Sequence, residues 1–154
     1  SRTHTADVRL GIGPGGVPGP RVILARSDSY MNTSGGPISA LASFLKVPPA
    51  RILVIHDDMD LPAHTLRLKV GGGEGGHNGL KSLSQHLHTR DYARLRIGVG
   101  RPPGRMDPAD YVLAALPSKE RPDWEVTFEQ AADVVEDIVT KGFAPTQMIL
   151  HTGS

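Results

Sequence analysis

The sequence predicts a single-domain α/β fold in which helices cover a mixed sheet. Segments with the pattern of strands alternate along the chain with segments of helical periodicity. The 154 residues are enough for one ordinary domain and too few for two separate cores. Apolar residues make up 38% of the chain and charged residues 21%, which is typical of a soluble globular protein and excludes a disordered one.

The N-terminal part is predicted to contain a loop, a strand and a helix. Segment 11–20 combines five glycines with three prolines, so it forms neither helix nor strand. Segment 21–24 predicts a short strand, and segment 32–37 is typical of a helix entry with proline in the first turn. The apolar residues that follow have helical spacing up to Pro48: Ile38, Leu41, Ala42 and Leu45.

Three strands are predicted in the centre of the chain. Segment 52–55 is a continuous aliphatic run, typical of a strand buried on both faces, and it ends in His56-Asp57-Asp58. Segments 66–70 and 94–99 alternate cations with aliphatic residues, so we expect half-exposed strands whose cations lie outward. Between them we expect a loop over 71–79 and a short helix with these residues on one face: Leu80, Leu83 and Leu87.

The last third of the chain is predicted to be helical. Asp107-Pro108 caps a short helix that ends near Leu116. A longer helix runs from about Pro122 to Lys141, with Gly142 as its C-cap. Its apolar stripe is predicted to consist of Phe128, Ala131, Ala132, Val135, Ile138 and Val139.

Composition and charge narrow the possible chemistry. The absence of cysteine excludes disulfides, thiolate nucleophiles and cysteine-based zinc sites. No apolar run reaches the roughly 20 residues of a membrane span, and no signal peptide is recognisable, so we expect a cytoplasmic protein without a membrane partner. Segment 67–105 carries a net charge of +6 and segment 107–154 one of −6. A polyanion would bind the middle segment, unless its cations simply form a solvated face.

Two motifs each allow an alternative functional interpretation. Gly71-x-Gly73-x-x-Gly76 has the spacing of the dinucleotide fingerprint of an oxidoreductase, yet the strand before it alternates with charge. The acidic stretch 56–60 with His77 could form a hard-metal site, although consecutive strand residues point to opposite faces. Asp57 is better suited to orienting an imidazole, or alternatively to capping neighbouring amides.

Two asparagines are candidates for substrate contact. Asn32 follows Tyr30-Met31, and Asn78 lies among the glycines of 75–79, where the backbone can come close to a ligand. A side-chain amide has both donors and an acceptor, so it can hold a carbonyl and a water together. Each asparagine, taken singly, also fits a turn or a helix cap.

Four motifs occur in register along the chain: 30–35 (YMNTSG), 56–62 (HDDMDLP), 67–82 (RLKVGGGEGGHNGLKS) and 94–102 (RLRIGVGRP). Together they resemble the bacterial peptidyl-tRNA hydrolase family, from about Arg21 to Leu150. The resemblance implies a three-layer α/β/α sandwich around a mixed sheet, with no metal or organic cofactor. It also implies hydrolysis of the ester between a nascent peptide and the 3′-ribose of tRNA. We therefore expect a monomer that contacts the acceptor end and the peptide of peptidyl-tRNA and has no obligate protein partner.

The resemblance implies a role for each residue of the motifs. A histidine activates water, and Asp57 keeps that histidine oriented. Asn32 and Asn78 bind the substrate and position the water, and Tyr30 holds the peptidyl-adenosine end. The neighbouring residues implied in substrate binding are Met31, Gly75, Gly76 and Gly79. The cations implied in binding tRNA phosphates are Arg67, Lys69, Lys81, Arg94 and Arg96.

This sequence departs from the family pattern in three places. The N-terminal strand of the family and its Thr-Arg-His-Asn motif, which carries the general base, do not occur, so we expect that roughly the first 40 family residues are lacking. His64 stands where the family usually has glycine, and Met148-Ile-Leu-His151 stands where it has Asn-Arg-Leu-His. The alternative function is therefore an RNA-binding relative of the same fold without catalysis.

Overall fold

The structure is a computed structural model that describes residues 3–9, 16, 21–27, 35–73, 78–100 and 121–152. Its strands are β1 (Thr3–Arg9), β2 (Arg21–Ser27), β3 (Leu53–Asp58), β4 (Leu66–Val70) and β5 (Ala93–Gly98). Its helices are α1 (Gly35–Phe44), α2 (Asn78–Leu87), α3 (Arg121–Lys141) and α4 (Phe143–Thr152). The predicted α/β class is confirmed, and the chain divides into two compact units, 1–52 with 70–93 and 53–69 with 94–154.

The first unit contains a two-stranded sheet and a pair of helices. β1 pairs with β2 in antiparallel register, from Thr3 opposite Ser27 to Arg9 opposite Arg21. β2 was predicted from the sequence, whereas β1 was not. α1 packs on α2, where the Gly35 N–H donates to the Ser82 hydroxyl over 2.9 Å. The predicted loop over 11–20 lies outside the described residues, except for Gly16.

The second unit is built on a three-stranded mixed sheet in the order β3-β5-β4. Along β3 and β5 the hydrogen-bonded positions rise together, 52 with 93 and then 58 with 99, so these strands are parallel. Along β4 and β5 they run in opposite directions, 65 with 98 and then 71 with 92, so these strands are antiparallel. The predicted mixed sheet is therefore confirmed, with β5 at its centre.

Alternation along these strands gives the sheet one apolar and one basic face. The apolar face packs against α3 in a buried core formed by Leu66, Leu68, Leu95, Ile97, Val99, Trp124, Ala131 and Val134. Since neighbouring strand residues point to opposite sides, the cations of β4 and β5 share the other face. We call Arg67, Lys69, Arg94 and Arg96 the basic face.

β3 differs from the strand that the sequence predicted. It continues through Asp58 rather than stopping at Ile55, and its residues are half-buried, with Ile55 50% exposed. The prediction of a strand buried on both faces was therefore wrong. β3 lies at one end of the three-strand order, and a strand there need not be covered on both faces, even when its sequence is a continuous aliphatic run.

α3 confirms the long helix and its Gly142 C-cap, which has a φ of 97°. The predicted stripe was partly wrong, because Phe128 is 47% exposed while Trp124 and Thr127 are buried. Thr127 is polar and so escaped an apolar pattern, yet its hydroxyl is satisfied inside the fold by the Asp123 carbonyl oxygen at 3.1 Å. Ala132 of the predicted stripe is exposed as well.

α4 was not predicted, and it lies along the outer edge of β4. The Leu68 N–H donates to His151 Nε2 over 3.1 Å, and Gln147 Nε2 donates to the Leu68 carbonyl oxygen over 2.9 Å. The backbone of Leu68 faces away from β5, so these two side chains satisfy groups that no strand reaches. Within the described ranges, no helix has the length and apolar character needed to cross a membrane. The predicted helix over 107–116 falls outside those ranges.

Candidate functional site

The stretch His56-Asp57-Asp58 lies within β3, and all three residues are half-buried. Alternation puts Asp57 on the side of Leu53 and Met59, both of which pack against the core. His56 and Asp58 lie on the basic face. His56 Nδ1 is 2.7 Å from the Asp57 carbonyl oxygen, and since a carbonyl only accepts, Nδ1 carries the proton in this bond. By strand alternation Asp57 therefore lies on the side of β3 opposite to His56 and Asp58.

Asp58 forms an ion pair with Arg96 across β3 and β5. Arg96 Nε donates to Asp58 Oδ2 over 2.8 Å, with the two side chains 24% and 15% exposed. The other carboxylate oxygen accepts the Asp60 N–H, also at 2.8 Å. Both oxygens of Asp58 thus have fixed donors, which holds the carboxylate and, through it, the guanidinium.

The groups that surround Asp58 change the pKa of its carboxyl. Burial acts to raise the pKa of the Asp58 carboxyl, but the hydrogen bonds from Arg96 and Asp60 and the positive charge of Arg96 and His56 outweigh it. The pKa of Asp58 therefore lies below the ordinary value for aspartate. Asp58 is therefore ionised at neutral pH, and its carboxylate holds the Arg96 guanidinium in place by accepting the hydrogen bond from Nε. The terminal nitrogens of Arg96 take no part in that bond and can serve as donors to an external anion.

The basic face is less exposed than the sequence predicted. Arg94 is 0% exposed, so the expectation that it lies outward and meets a phosphate was wrong. Arg67 and Lys69, on β4, are half-buried, and the Arg67 guanidinium donates to the Leu66 carbonyl oxygen over 2.9 Å. Arg67, Lys69 and Arg96 therefore remain as the accessible cations of this face.

The remaining predicted residues belong to the first unit. Lys81 is exposed on α2, Gly79 is buried in its first turn, and Asn78 begins the helix and is described by its backbone alone. The others lie outside the described residues: Tyr30, Met31, Asn32, Gly75 and Gly76. The structure therefore does not test whether the two asparagine side chains lie close to Asp57.

The dinucleotide interpretation of the glycine-rich segment is contradicted by the strand before it. β4 runs antiparallel to its neighbour β5, whereas the fingerprint requires a parallel βαβ unit. Gly71 has a φ of 70°, and a Cβ added there would lie 3.1 Å from Asp91 Oδ1, so the turn itself requires glycine. The metal interpretation has no geometric support within the described part of the chain, where no cluster of three or more His, Asp or Glu occurs. His77 is outside that part.

Two structural roles, one at the end of β3 and one in the turn before β4, were not predicted from the sequence. Asp58 had no assigned role, and its pairing with Arg96 depends on a strand register that the sequence does not display. His64 was noted only as a departure from glycine. Its φ of 68° is in the left-handed region, and its ring contacts Trp124 with centroids 4.1 Å apart while Nδ1 lies 2.7 Å from the Thr127 hydroxyl. The positive φ explains why glycine suits this position.

Comparisons with known proteins agree with the resemblance. A family model described as peptidyl-tRNA hydrolase matches residues 2–153. The peptidyl-tRNA hydrolase of Kineococcus radiotolerans is 54% identical over 96% of this chain and 75% of its own length, and that of an Arthrobacter species is 51% identical over 99% and 76%. The crystal structure of peptidyl-tRNA hydrolase from Acinetobacter baumannii is 32% identical, with a TM-score of 0.74 over 96% of this chain and 71% of the other.

These comparisons also bear on where the similarity begins. The family match starts at residue 2 rather than near Arg21, so the similarity is more extensive than the sequence motifs indicated. The expectation that the first 40 family residues are lacking is not supported by this match. The chain spans about three quarters of the length of the two curated relatives.

Proposed function

The chain belongs to the peptidyl-tRNA hydrolase family, and from that premise we propose that it hydrolyses the ester joining a peptide to the 3′-ribose of tRNA. The observation that carries the proposal is the family match over residues 2–153, supported by relatives about half identical to this chain and so named. The reaction is a hydrolysis in which nothing is oxidised or reduced, so water and protein side chains are sufficient for it. Its substrate is formed during translation, so the proposal includes a cytoplasmic location.

Of the predicted catalytic residues, Asp57 is the one whose position the structure describes most fully. Water attacks the ester carbonyl while a histidine takes a proton from that water, and the histidine returns the proton to the 3′-oxygen of the ribose as the bond from this oxygen to the carbonyl carbon breaks. A carboxylate that accepts the second N–H of the imidazole keeps the ring in the right tautomer and stabilises its charged form. A half-buried carboxylate on a strand is suited to this role, because the strand fixes its position.

The tRNA side of the substrate is assigned to the accessible cations of the basic face. Arg67, Lys69 and Arg96 offer positive charge and N–H donors for phosphate oxygens, and Asp58 holds Arg96 before the substrate arrives. Arg94 is left out because it is buried. For the peptidyl-adenosine end the proposal keeps the residues of the family motifs: Tyr30, Met31, Asn32, Gly75, Gly76, Asn78 and Gly79.

The role of Asp57 is tested by turnover of an N-acetylated aminoacyl-tRNA. Asp57→Asn should lower kcat by about 10² to 10⁴, the range of general-base catalysis, and leave KM within about twofold. Asp133→Asn, which changes an exposed carboxylate of α3, is the matched control and should be silent. An unchanged kcat in Asp57→Asn would remove this residue from the mechanism.

The identity of the base needs a second comparison. The 154-residue chain is assayed beside a version preceded by a family segment that contains Thr-Arg-His-Asn. Activity only in the extended version assigns the base to that segment, whereas equal activity assigns it to one of the seven histidines of this sequence. If tRNA binds but neither version turns over, the RNA-binding alternative replaces the hydrolase.

A further inference from the structure

Two side chains of α4 bind the backbone of β4 at Leu68, on the outer edge of that strand. Gln147 Nε2 donates to the Leu68 carbonyl oxygen over 2.9 Å, and the Leu68 N–H donates to His151 Nε2 over 3.1 Å. Because His151 Nε2 accepts, it carries no proton in this bond, and the imidazole is neutral with its proton on Nδ1. The two residues lie at i and i+4 on α4, so they reach the strand from the same face of the helix.

These two hydrogen bonds fix the peptide groups on either side of Leu68. The Leu68 N–H belongs to the peptide group that joins this residue to Arg67, and its carbonyl belongs to the peptide group that joins it to Lys69. Each peptide group is planar, so a hydrogen bond to its outer side restrains the orientation of the whole plane. α4 therefore holds the backbone from which both cations extend.

The head group of Arg67 uses the same edge of β4. Its guanidinium donates to the Leu66 carbonyl oxygen over 2.9 Å. Alternate residues of a strand point their backbone groups the same way, so this carbonyl and the Leu68 N–H both face away from β5. The guanidinium and the two α4 side chains therefore bind consecutive backbone groups of one edge. A shift of that edge would move the charge of Arg67 with it.

We propose that Gln147 and His151 are positioning residues for tRNA binding. They hold Arg67 and Lys69 at the spacing at which these cations meet phosphate oxygens. The inference rests on the proposed function, in which these cations bind tRNA, and it adds two uncharged residues that need not touch the substrate. Its physical basis is preorganisation, because β4 lies at one end of the strand order and α4 orders its backbone before the ligand arrives.

The test measures the Kd for deacylated tRNA, so it does not depend on turnover. Gln147→Met keeps the length of the side chain and the charge of the protein but removes the donor, and it should raise Kd about 3- to 10-fold. Gln130→Met makes the same change at an exposed position of α3 and should leave Kd unchanged. Equal Kd values for the two variants would overturn the proposal.

The acceptor on His151 can be removed or replaced. His151→Leu lacks an acceptor and should raise Kd in the same direction as Gln147→Met. His151→Gln places an amide oxygen as many bonds from the backbone as Nε2, so it should restore the Kd of the wild type. If His151→Gln binds tRNA as weakly as His151→Leu, the hydrogen bond to Leu68 is not the source of the effect and the proposal is wrong.

A double-mutant cycle separates positioning from direct contact with tRNA. In a protein that carries Arg67→Ala and Lys69→Ala, the change Gln147→Met should alter Kd by less than about twofold, because the cations that it positions are gone. An undiminished effect there would mean that α4 contacts tRNA itself, and a rise in Kd that depends on protein concentration would mean self-association through β4. Either result would contradict the proposal. Absence of wild-type turnover of an N-acetylated aminoacyl-tRNA would contradict the proposed function alone, since the Kd values require no hydrolysis.

Discussion

β4 and β5 have nearly the same sequence pattern, yet their cations have different surroundings. In β4, at the edge of the sheet, Arg67 and Lys69 are half-buried. In β5, at the centre, Arg94 is fully buried and Arg96 is tied to Asp58. Alternation therefore tells which side chains share a face, whereas the burial of each side chain depends on what the fold packs around it. Only the first of these can be read from a sequence.

The largest effect is expected when one arginine is removed from each of the two strands. Arg94→Ala should lower the free energy of unfolding by about 2 to 5 kcal/mol, because it truncates a fully buried side chain. Arg67→Ala should cost within about 0.5 kcal/mol, as substitutions near the surface usually do. Urea unfolding of both variants measures the difference.

A third variant shows what Arg94 contributes. Arg94→Met keeps an unbranched apolar stem of similar length and should recover most of the loss. If the methionine variant is as unstable as the alanine variant, the guanidinium itself stabilises β5. If Arg94→Ala is as stable as Arg67→Ala, the proposed contrast between the central and the edge strand is wrong.

The second test concerns the other cation of β5. Asp58→Asn should destabilise the protein by about 1 to 3 kcal/mol at neutral pH, since it weakens two hydrogen bonds in which charge takes part. The pKa of Asp58 is lowered in the folded state, so its contribution is complete above the ordinary aspartate value of about 3.9 and is lost as the pH falls through the folded-state pKa. The difference between wild type and variant should therefore shrink below about pH 4. A difference that stays constant from pH 7 to pH 3 would show that the charge of Asp58 is not its source.

The smallest effect is expected in the turn that leads into β4. His64→Ala should cost about 1 to 2 kcal/mol, because it loses the hydrogen bond to Thr127 and the contact with Trp124 and keeps the strained backbone. His64→Gly loses the same contacts but relieves about 1 kcal/mol of left-handed strain, so it should be the more stable of the two. Thermal unfolding of both gives the order, and the reverse order would contradict strain at this position.

Patterns that depend on neighbours along the chain were sufficient to predict much of this fold. The leucine spacing of α2, the alternation of β4 and β5 and the Gly142 cap were all confirmed. Features that depend on distant partners were not predicted. β1 depends on its pairing with β2, the burial of Thr127 is tolerated because its hydroxyl has partners that include His64, and the burial of Arg94 depends on the residues packed around it.

The same difference between patterns of chain neighbours and contacts of distant residues applies to the candidate site. The motif around Asp57 was recognised from residues close in sequence, and a strand was predicted before it, although that strand was expected to end at Ile55. The pairing of Asp58 with Arg96 joins positions 38 residues apart, and it follows from the parallel register of β3 and β5. The separation of Asp57 from the basic face follows from β3 continuing through Asp58, where the sequence predicted an end.

The contact between α4 and β4 has a consequence for how the protein behaves at high concentration. An open strand edge is a template for pairing with another chain, and sheets that leave one exposed tend to aggregate. Here the backbone groups of Leu68 are occupied by Gln147 and His151, so α4 acts as a cover against intermolecular strand pairing. Solubility of this protein is therefore linked to two polar side chains near its C-terminus, and substitutions there that leave the apolar core intact would favour self-association through β4.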